Sequence, residues 1–455
     1  MSQPQRSAIA KIVGASLIGT TIEWYDFFLY TSAAALVFNK LFFPTANPLT
    51  GTLLAFLTYA VGFLARPIGG LVFGHFGDRL GRKKLLVVSL VLMGGSTCLM
   101  GVLPTYATAG VLAPVLLTLL RLVQGFALGG EWGGAVLIVS EHGDARRRGF
   151  WASWPQCGAP GGNLLATAVL ATLSATQSDA TFMAWGWRVP FLLSGVLLLI
   201  GLWIRLAVAE SPVFLAARRR AEARDGKHVP VVDVFRNNRR QVLITIGARM
   251  AENVSYYVIT AFILVYVTTG LHLPKGVGLT AVLIGSAVHF VTIPVWGALS
   301  DRVGRRPVYL FGAIGMALWS FAFFALLDTK SSAVIVLATT VGLVLHGAMY
   351  GPQAAFFAEQ FPTRVRYTGL SVGGQLSSIA AGAVAPLIAV ALFSSWGSTL
   401  PVSMYVTAMC VITVIALLAA RETRGESLHD DVEAETATVS PTVPIGTNPT
   451  TATAE

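Results

Sequence analysis

Apolar residues run along this chain in uninterrupted stretches of about 20, the length a helix rising about 1.5 Å per residue needs to cross a bilayer core. Twelve can be laid out: near 12–37, 52–73, 85–103, 110–139, 151–174 and 190–208, then 241–269, 277–299, 308–327, 332–357, 367–393 and 402–420. Polar or turn-rich breaks separate them. The pattern predicts an all-α membrane protein of twelve transmembrane helices.

The breaks divide the chain. Residues 1–11 precede the first stretch, 12–209 hold six stretches, and 210–240 form a linker with eight Lys or Arg. Residues 241–420 hold the other six, and 421–455 form a tail rich in Thr, Val, Pro and acids, expected to be disordered. The turn Gly74-His75-Phe76-Gly77-Asp78-Arg79-Leu80-Gly81-Arg82 recurs as Gly297-Ala298-Leu299-Ser300-Asp301-Arg302-Val303-Gly304-Arg305. Glu141 and Arg148, six residues apart in the sense of intervening positions, are matched by Glu359 and Arg366. Charged turns repeated at the same kind of boundary predict two pseudo-symmetric six-helix halves.

Composition sharpens this picture. Hydrophobic residues make up 54% of the chain, charged residues only 12%, and the mean hydropathy is +0.68, so lipid must cover most of the surface. The net charge of +10 comes from dispersed Lys and Arg: 24 of the 32 lie in the N-terminus, the tail and alternate loops, and the opposite loops hold Lys40, Arg188, Lys275 and Lys330. Positive charge resists transfer, which predicts cytoplasmic termini and explains the basic balance without nucleic acid. The first stretch carries Glu23 and Asp26 and lacks a cleavage site, so it is read as a retained helix. Cys98, Cys157 and Cys410 lack paired spacing, and the chain shows no phosphate-cradling loop or nucleophile beside a base. No metal, cofactor or enzymatic activity is expected.

The informative chemistry lies inside the apolar stretches: Glu23, Asp26, Glu131 and Glu252 against Arg66, Arg121 and Arg249. Unpaired, each would cost about 2.5–3.5 kcal/mol at a helix centre, so they should face one another or a hydrated cavity. Glu23 and Asp26 share a helix face, and Arg249 and Glu252 repeat that spacing in the seventh stretch. Asp26, with a carboxylate one turn away, is the leading proton carrier, and Glu23 and Glu131 are the alternatives. Arg66 and Glu131, at similar depth, suit an ion pair. Arg121 has no local acid and suits gripping an anion through its planar fork. Arg249, Glu252, Tyr25, Tyr257 and Gln375 complete the candidate substrate contacts. His289 and His346 are read as neutral imidazoles bonded to a facing helix, since no acid lies one turn away. At the inner helix ends, Asp78, Arg79, Arg82, Glu141, Arg148 and Glu210 form one expected gate. Asp301, Arg302, Arg305, Glu359, Arg366 and Glu422 form its repeat.

The repeated G-x3-D-R-x-G-R-R turn and the E-x6-R pairs resemble those of the major facilitator superfamily, over about residues 12–424. Glu23-Trp24-Tyr25-Asp26-Phe27, Arg66-Pro67-Ile68-Gly69-Gly70, Gly129-Gly130-Glu131-Trp132-Gly133-Gly134 and Trp185-Gly186-Trp187-Arg188-Val189-Pro190 are similar to its metabolite:proton symporters. That group contains shikimate, 2-oxoglutarate, citrate and proline/betaine carriers. The resemblance implies the major facilitator fold and symport of a small organic acid with a proton, by alternating access. It also implies a monomer embedded in the lipid bilayer of a bacterial inner (plasma) membrane. Residues 249–252 and 257–262 look most like the shikimate carrier. Uptake of zwitterionic osmolytes is the alternative, although the chain lacks the coiled-coil extension of the osmosensing relative. Drug/proton antiport is a weaker one, because Gly158-Ala159-Pro160-Gly161-Gly162 only partly matches the antiporters' Gly-Pro-x-x-Gly-Gly run.

Overall fold

The computed structural model describes residues 3–44, 47–80, 82–129, 145–207, 234, 236–362 and 365–425. All regular structure among them is helical. The first half holds α1 (Gln3–Ala33), α2 (Pro48–Leu80), α3 (Arg82–Gly101), α4 (Leu112–Leu128), α5 (Arg148–Gln156), α6 (Gly158–Thr176) and α7 (Arg188–Ala207). The second holds α8 (Arg239–Tyr257), α9 (Lys275–Val303), α10 (Arg305–Leu327), α11 (Ser332–Gln360), α12 (Arg366–Ser377), α13 (Ala385–Trp396) and α14 (Leu400–Ala419). Each apolar stretch falls on a helix or on a helix pair over its described residues. By length and hydropathy alone, seven of the described helices could cross a membrane, or eight if a pair bent by 43° near Trp187 counts as one span. Helix α1 starts well ahead of its apolar stretch, with Pro4 in the first turn, where proline is tolerated.

Burial is inverted relative to a protein surrounded by water. Leu199, Trp203, Leu318 and Trp396 lie largely exposed on the outside, while Glu23, Asp26, Arg66, Arg121, Arg249 and Glu252 are all buried. A chain solvated by hydrocarbon places its residues this way, and helices satisfy the backbone without water.

Within the first half α1 packs on α6, α2 on α4, and α3 on both α4 and α7. Within the second, α9 and α10 pack on α11, and α14 packs on α8 and α10. Two seams join the halves. Helices α5 and α6 lie against α9, and α2 lies against α13 and the π-turn Ser378–Ala383 before it. Counted by apolar stretch within each half, the fifth of one half meets the second of the other at both seams, as a twofold relation requires.

Helix α8 occupies a special place. It and the helical turns that continue it are buried without a break over residues 247–267, whereas 39–50% of the apolar stretch of the other long spans is enclosed. Thr413 of α14 ties it down, donating to the Gly247 carbonyl at 2.9 Å and accepting from the Ala251 N–H at 2.9 Å. Shielded over that length, the helix can carry Arg249 and Glu252. On the other side of the molecule α2 and α4 cross at Gly62 and Gly125, where a Cβ on Gly125 would sit 1.8 Å from the Gly62 carbonyl oxygen. This close approach lays the Arg121 side chain across Gly62 and brings Arg66 within reach of the same core.

Candidate functional site

Two polar clusters, one from each half, meet between the halves. In the first, the Arg121 guanidinium carbon lies 4.8, 4.5 and 4.7 Å from the ring centres of Phe27, Tyr30 and Tyr59. Arg66 lies 3.8 Å from the centre of Phe63 and 4.8 Å from that of Phe27. One ring, Phe27, therefore serves two guanidiniums. Aromatic faces attract a desolvated cation by about 2 kcal/mol, which offsets part of the burial cost. Neither arginine has a carboxylate partner among the described residues, and the Nε of each is buried without a hydrogen-bond acceptor. Glu131, the expected partner of Arg66, lies outside the described residues.

Arg121 donates to Gln124 Oε1, and Gln124 Nε2 donates to Thr97 Oγ1 at 2.8 Å. Thr97 and Ser194 both reach the Asp26 carboxyl, Ser194 by donating to Oδ1. Side chains of α3 and α4 thus link the candidate proton carrier to the candidate anion grip. Glu23 is buried one turn away on α1. Tyr25 does something else: its hydroxyl donates to the Pro190 carbonyl at 2.7 Å, so it fastens α1 to α7 rather than facing the seam.

The second cluster grows from α8. Arg249 Nε lies 3.4 Å from Glu252 Oε2. The Glu252 carboxylate also accepts from Asn253 Nδ2 at 3.2 Å and from Gln353 Nε2 at 3.0 Å. Gln353 in turn donates to the Tyr309 hydroxyl at 3.0 Å and accepts from Gln156 of the first half at 3.2 Å. His346 Nε2 lies 3.8 Å from Glu252 Oε1, and His346 Nδ1 lies 2.9 Å from His289 Nε2. The two histidines face each other from α11 and α9, and the nearby acid comes from α8 rather than from their own helices.

Tyr257 joins the clusters, its ring centre 6.0 Å from that of Tyr59 and 6.3 Å from that of Phe27. Arg249 lies within electrostatic reach of Arg66. Asn163 bridges the seam as well, donating to Ser286 at 3.1 Å and to the Tyr256 hydroxyl at 3.4 Å. Gln375 donates to the Gly129 carbonyl at 3.4 Å across the other seam. The structure therefore brings Asp26, Arg66, Arg121, Arg249, Glu252 and Tyr257 into one central zone. Sequence reasoning passed over Gln124, Asn163 and Gln353, whose amides in the middle of apolar stretches were the available signal.

A third cluster lies where α5 begins and α9 ends. Arg148 Nη1 of the first half lies 2.8 Å from Glu359 Oε1 of the second, and Arg305 Nη2 lies 3.3 Å from the same oxygen. Asp301 takes Arg305 at 2.7 Å and accepts from the N–H groups of Gly149 and Phe150 at 2.8 and 2.9 Å. Its carboxylate thus caps the first turn of α5 from the other half, where the helix dipole favours a negative charge. Glu422 caps α10 in the same manner, through the N–H groups of Arg305 and Arg306 at 2.9 Å each. Arg366 holds the carbonyls of Ala358 and Phe361 at 2.8 and 3.2 Å, and Arg302 is exposed. Glu141 and Glu210 lie outside the described residues, as do the side chains of Asp78, Arg79 and Arg82, which are described only as helical backbone. Among the described residues, Arg305 pairs with Asp301 and Glu359 inside the second repeat, and Arg148 of the first repeat reaches Glu359 as well.

Comparison with known proteins places this architecture. The chain is 42% identical over 423 residues to the inner membrane metabolite transport protein YhjE of Escherichia coli (strain K12), covering 92% of this chain and 95% of that protein. It is 39% identical over 426 residues to the shikimate transporter of Escherichia coli (strain K12), covering 93% and 96%. The crystal structure of a D-xylose-proton symporter superposes with a TM-score of 0.73 at 20% identity, over 92% of this chain and all of that one, and shows the shared fold. The model of the Major Facilitator Superfamily matches residues 16–382 and 254–453. These relatives are transporters, and the family model spans most of the sequence: the chain belongs to the Major Facilitator Superfamily and is a membrane transporter, not an enzyme.

Proposed function

We propose that this protein is a proton-coupled symporter that imports a small organic anion, a carboxylate of the shikimate kind, across a bacterial inner membrane by alternating access. It spans the membrane twelve times with both termini in the cytoplasm and works as a monomer within the lipid. The observation that carries this reading is the charge pattern at the centre. Three buried guanidiniums, Arg66, Arg121 and Arg249, meet between the halves, and among the described residues one carboxylate, Glu252, pairs with one of them. A substrate carboxylate would supply the contact that Arg66 and Arg121 lack among the described residues, and guanidinium recognises that group through two parallel hydrogen bonds.

Asp26 is the proton carrier in this reading. Through Thr97 and Gln124 its charge acts on Arg121, so protonating Asp26 releases that guanidinium to bind the incoming anion. The similarity to a shikimate transporter supports the substrate class. Zwitterionic osmolytes have less support. A quaternary ammonium would need an aromatic cage, and the cage formed by Phe27, Tyr30 and Tyr59 is filled by Arg121.

Uptake of a panel of labelled carboxylates into vesicles reconstituted with the protein tests this. Accumulation is expected only with a proton gradient, and Asp26→Asn should retain exchange of labelled for unlabelled solute while losing accumulation. Accumulation in wild type that ignores the gradient would refute symport.

A further inference from the structure

The reading above leaves His289 and His346 unused. We propose that these two imidazoles, together with Glu252, form a second proton site in the second half, filled when a bound anion draws Arg249 away from Glu252. The inference rests on the anion reading of the central zone and adds residues to it.

The geometry comes from three helices. His289 of α9 and His346 of α11 are both buried and lie nitrogen to nitrogen at 2.9 Å, a distance that requires one proton between them. A neutral pair holds two protons on four nitrogens, so the second proton must sit on an outer nitrogen. His346 Nε2 faces the Glu252 carboxylate at 3.8 Å, and a bare lone pair there would be repelled by it. The stable arrangement has His346 Nε2–H pointing to Glu252 and His289 Nε2–H donating to His346 Nδ1. His289 Nδ1 is then left as a lone pair, and this atom is buried with no hydrogen-bond partner. This nitrogen is the open position of the pair, the one that a further proton would occupy.

What opposes the proton is burial, because a net charge held out of water is costly unless a counter-charge matches it. The titratable and charged groups facing the pair are Glu252, Arg249 and Tyr256 on α8, Tyr350 on α11 and Cys157 at the junction of α5 and α6. Only Glu252 and Arg249 are charged, and together they are neutral, so an extra proton would leave the cluster with one net positive charge. An anion that takes up Arg249 changes this. Glu252 loses its counter-charge, and a proton shared by the histidine pair replaces it. Anion and proton then bind cooperatively with no direct contact, and linkage requires each to strengthen the other by the same factor.

The test uses the full chain. In reconstituted vesicles, His289→Gln and His346→Gln are expected to keep exchange of labelled shikimate for unlabelled shikimate, which moves no net proton. Both should lose roughly tenfold or more of gradient-driven accumulation, a factor within the usual range of coupling between sites. Where a variant loses exchange as well, the wild type decides. In wild type with isotope-labelled histidine, two of the seven imidazoles should change protonation together when shikimate is added. Variants that accumulate like wild type, or imidazoles that ignore the added anion while wild type exchanges it, would overturn the histidine site and leave the anion reading standing. A wild type that exchanges none of the carboxylate panel would overturn both.

Discussion

Arg121 shows how a side chain can be fixed without a counter-ion. Three aromatic faces surround its guanidinium and Gln124 accepts one of its protons, which holds the planar group oriented but leaves its charge unneutralised. Lysine offers a point charge with no plane to stack and no fork for a carboxylate. Arg121→Lys is therefore expected to lower anion uptake by about tenfold or more, the loss of one charge-assisted hydrogen bond of about 1.5–3 kcal/mol. Uptake at wild-type rates would remove Arg121 from the site. Tyr25 makes the opposite case. Its hydroxyl is committed to the Pro190 carbonyl, so Tyr25→Phe should leave uptake unchanged and lower stability by about 0.5–1.5 kcal/mol in a thermal unfolding scan. Nothing in the sequence separates Tyr25 from Tyr257. Both share an apolar stretch with buried acidic residues, and only the packing of α1 on α7 sends one outward from the seam.

Helix contacts rather than helix positions decided what the sequence could reveal. Apolar length gave the helices, and the cost of burying charge singled out Asp26, Arg66, Arg121, Arg249 and Glu252 before any neighbour was known. Partners one turn away on the same helix were legible too, as with Arg249 and Glu252. Contacts between helices were not: the histidine pair needs α9 and α11 side by side, and the Arg148–Glu359 bridge needs both halves closed on one another. The crossing of α5 and α9 belongs to this second kind. A Cβ on Gly297 would lie 2.6 Å from the Gly149 carbonyl oxygen and 2.9 Å from Ser153 Oγ, so the two helices meet backbone to backbone. Gly297→Val should wedge them apart and pull Asp301 off the first turn of α5. The expected result is a folded protein with much reduced uptake, and a cysteine introduced by Ser153→Cys that reacts faster with a polar thiol reagent. Slow labelling equal to that in the glycine background would show that the crossing does not close the seam.

Both ends of the seam between the halves carry a bridge, and their unequal strength sets the resting state of the whole transporter. At one end Arg148 and Glu359 have side chains only 4% and 0% exposed, and Arg305 shares the same carboxylate. Removing one partner of a buried pair costs about 3–5 kcal/mol, because the other charges are left unmatched. At the opposite end Lys275 of α9 reaches Asp179 at 2.6 Å and lies 3.9 Å from the Phe182 ring centre, but the Asp179 side chain is 87% exposed. Such a surface pair contributes about 0–1 kcal/mol. The Arg148 end is therefore the stronger lock, and without substrate the protein should rest with that end shut. Glu359→Gln is expected to shift the balance toward opening there by roughly a hundredfold or more, whereas Asp179→Asn should change it by less than about fivefold. With Cys98, Cys157 and Cys410 replaced and Ser153→Cys as reporter, thiol labelling in right-side-out and inverted vesicles measures both shifts and reports which side of the membrane the Arg148 end faces. Equal responses from the two substitutions would mean that the closed state is held by the packing of α5 and α6 on α9 rather than by its charges.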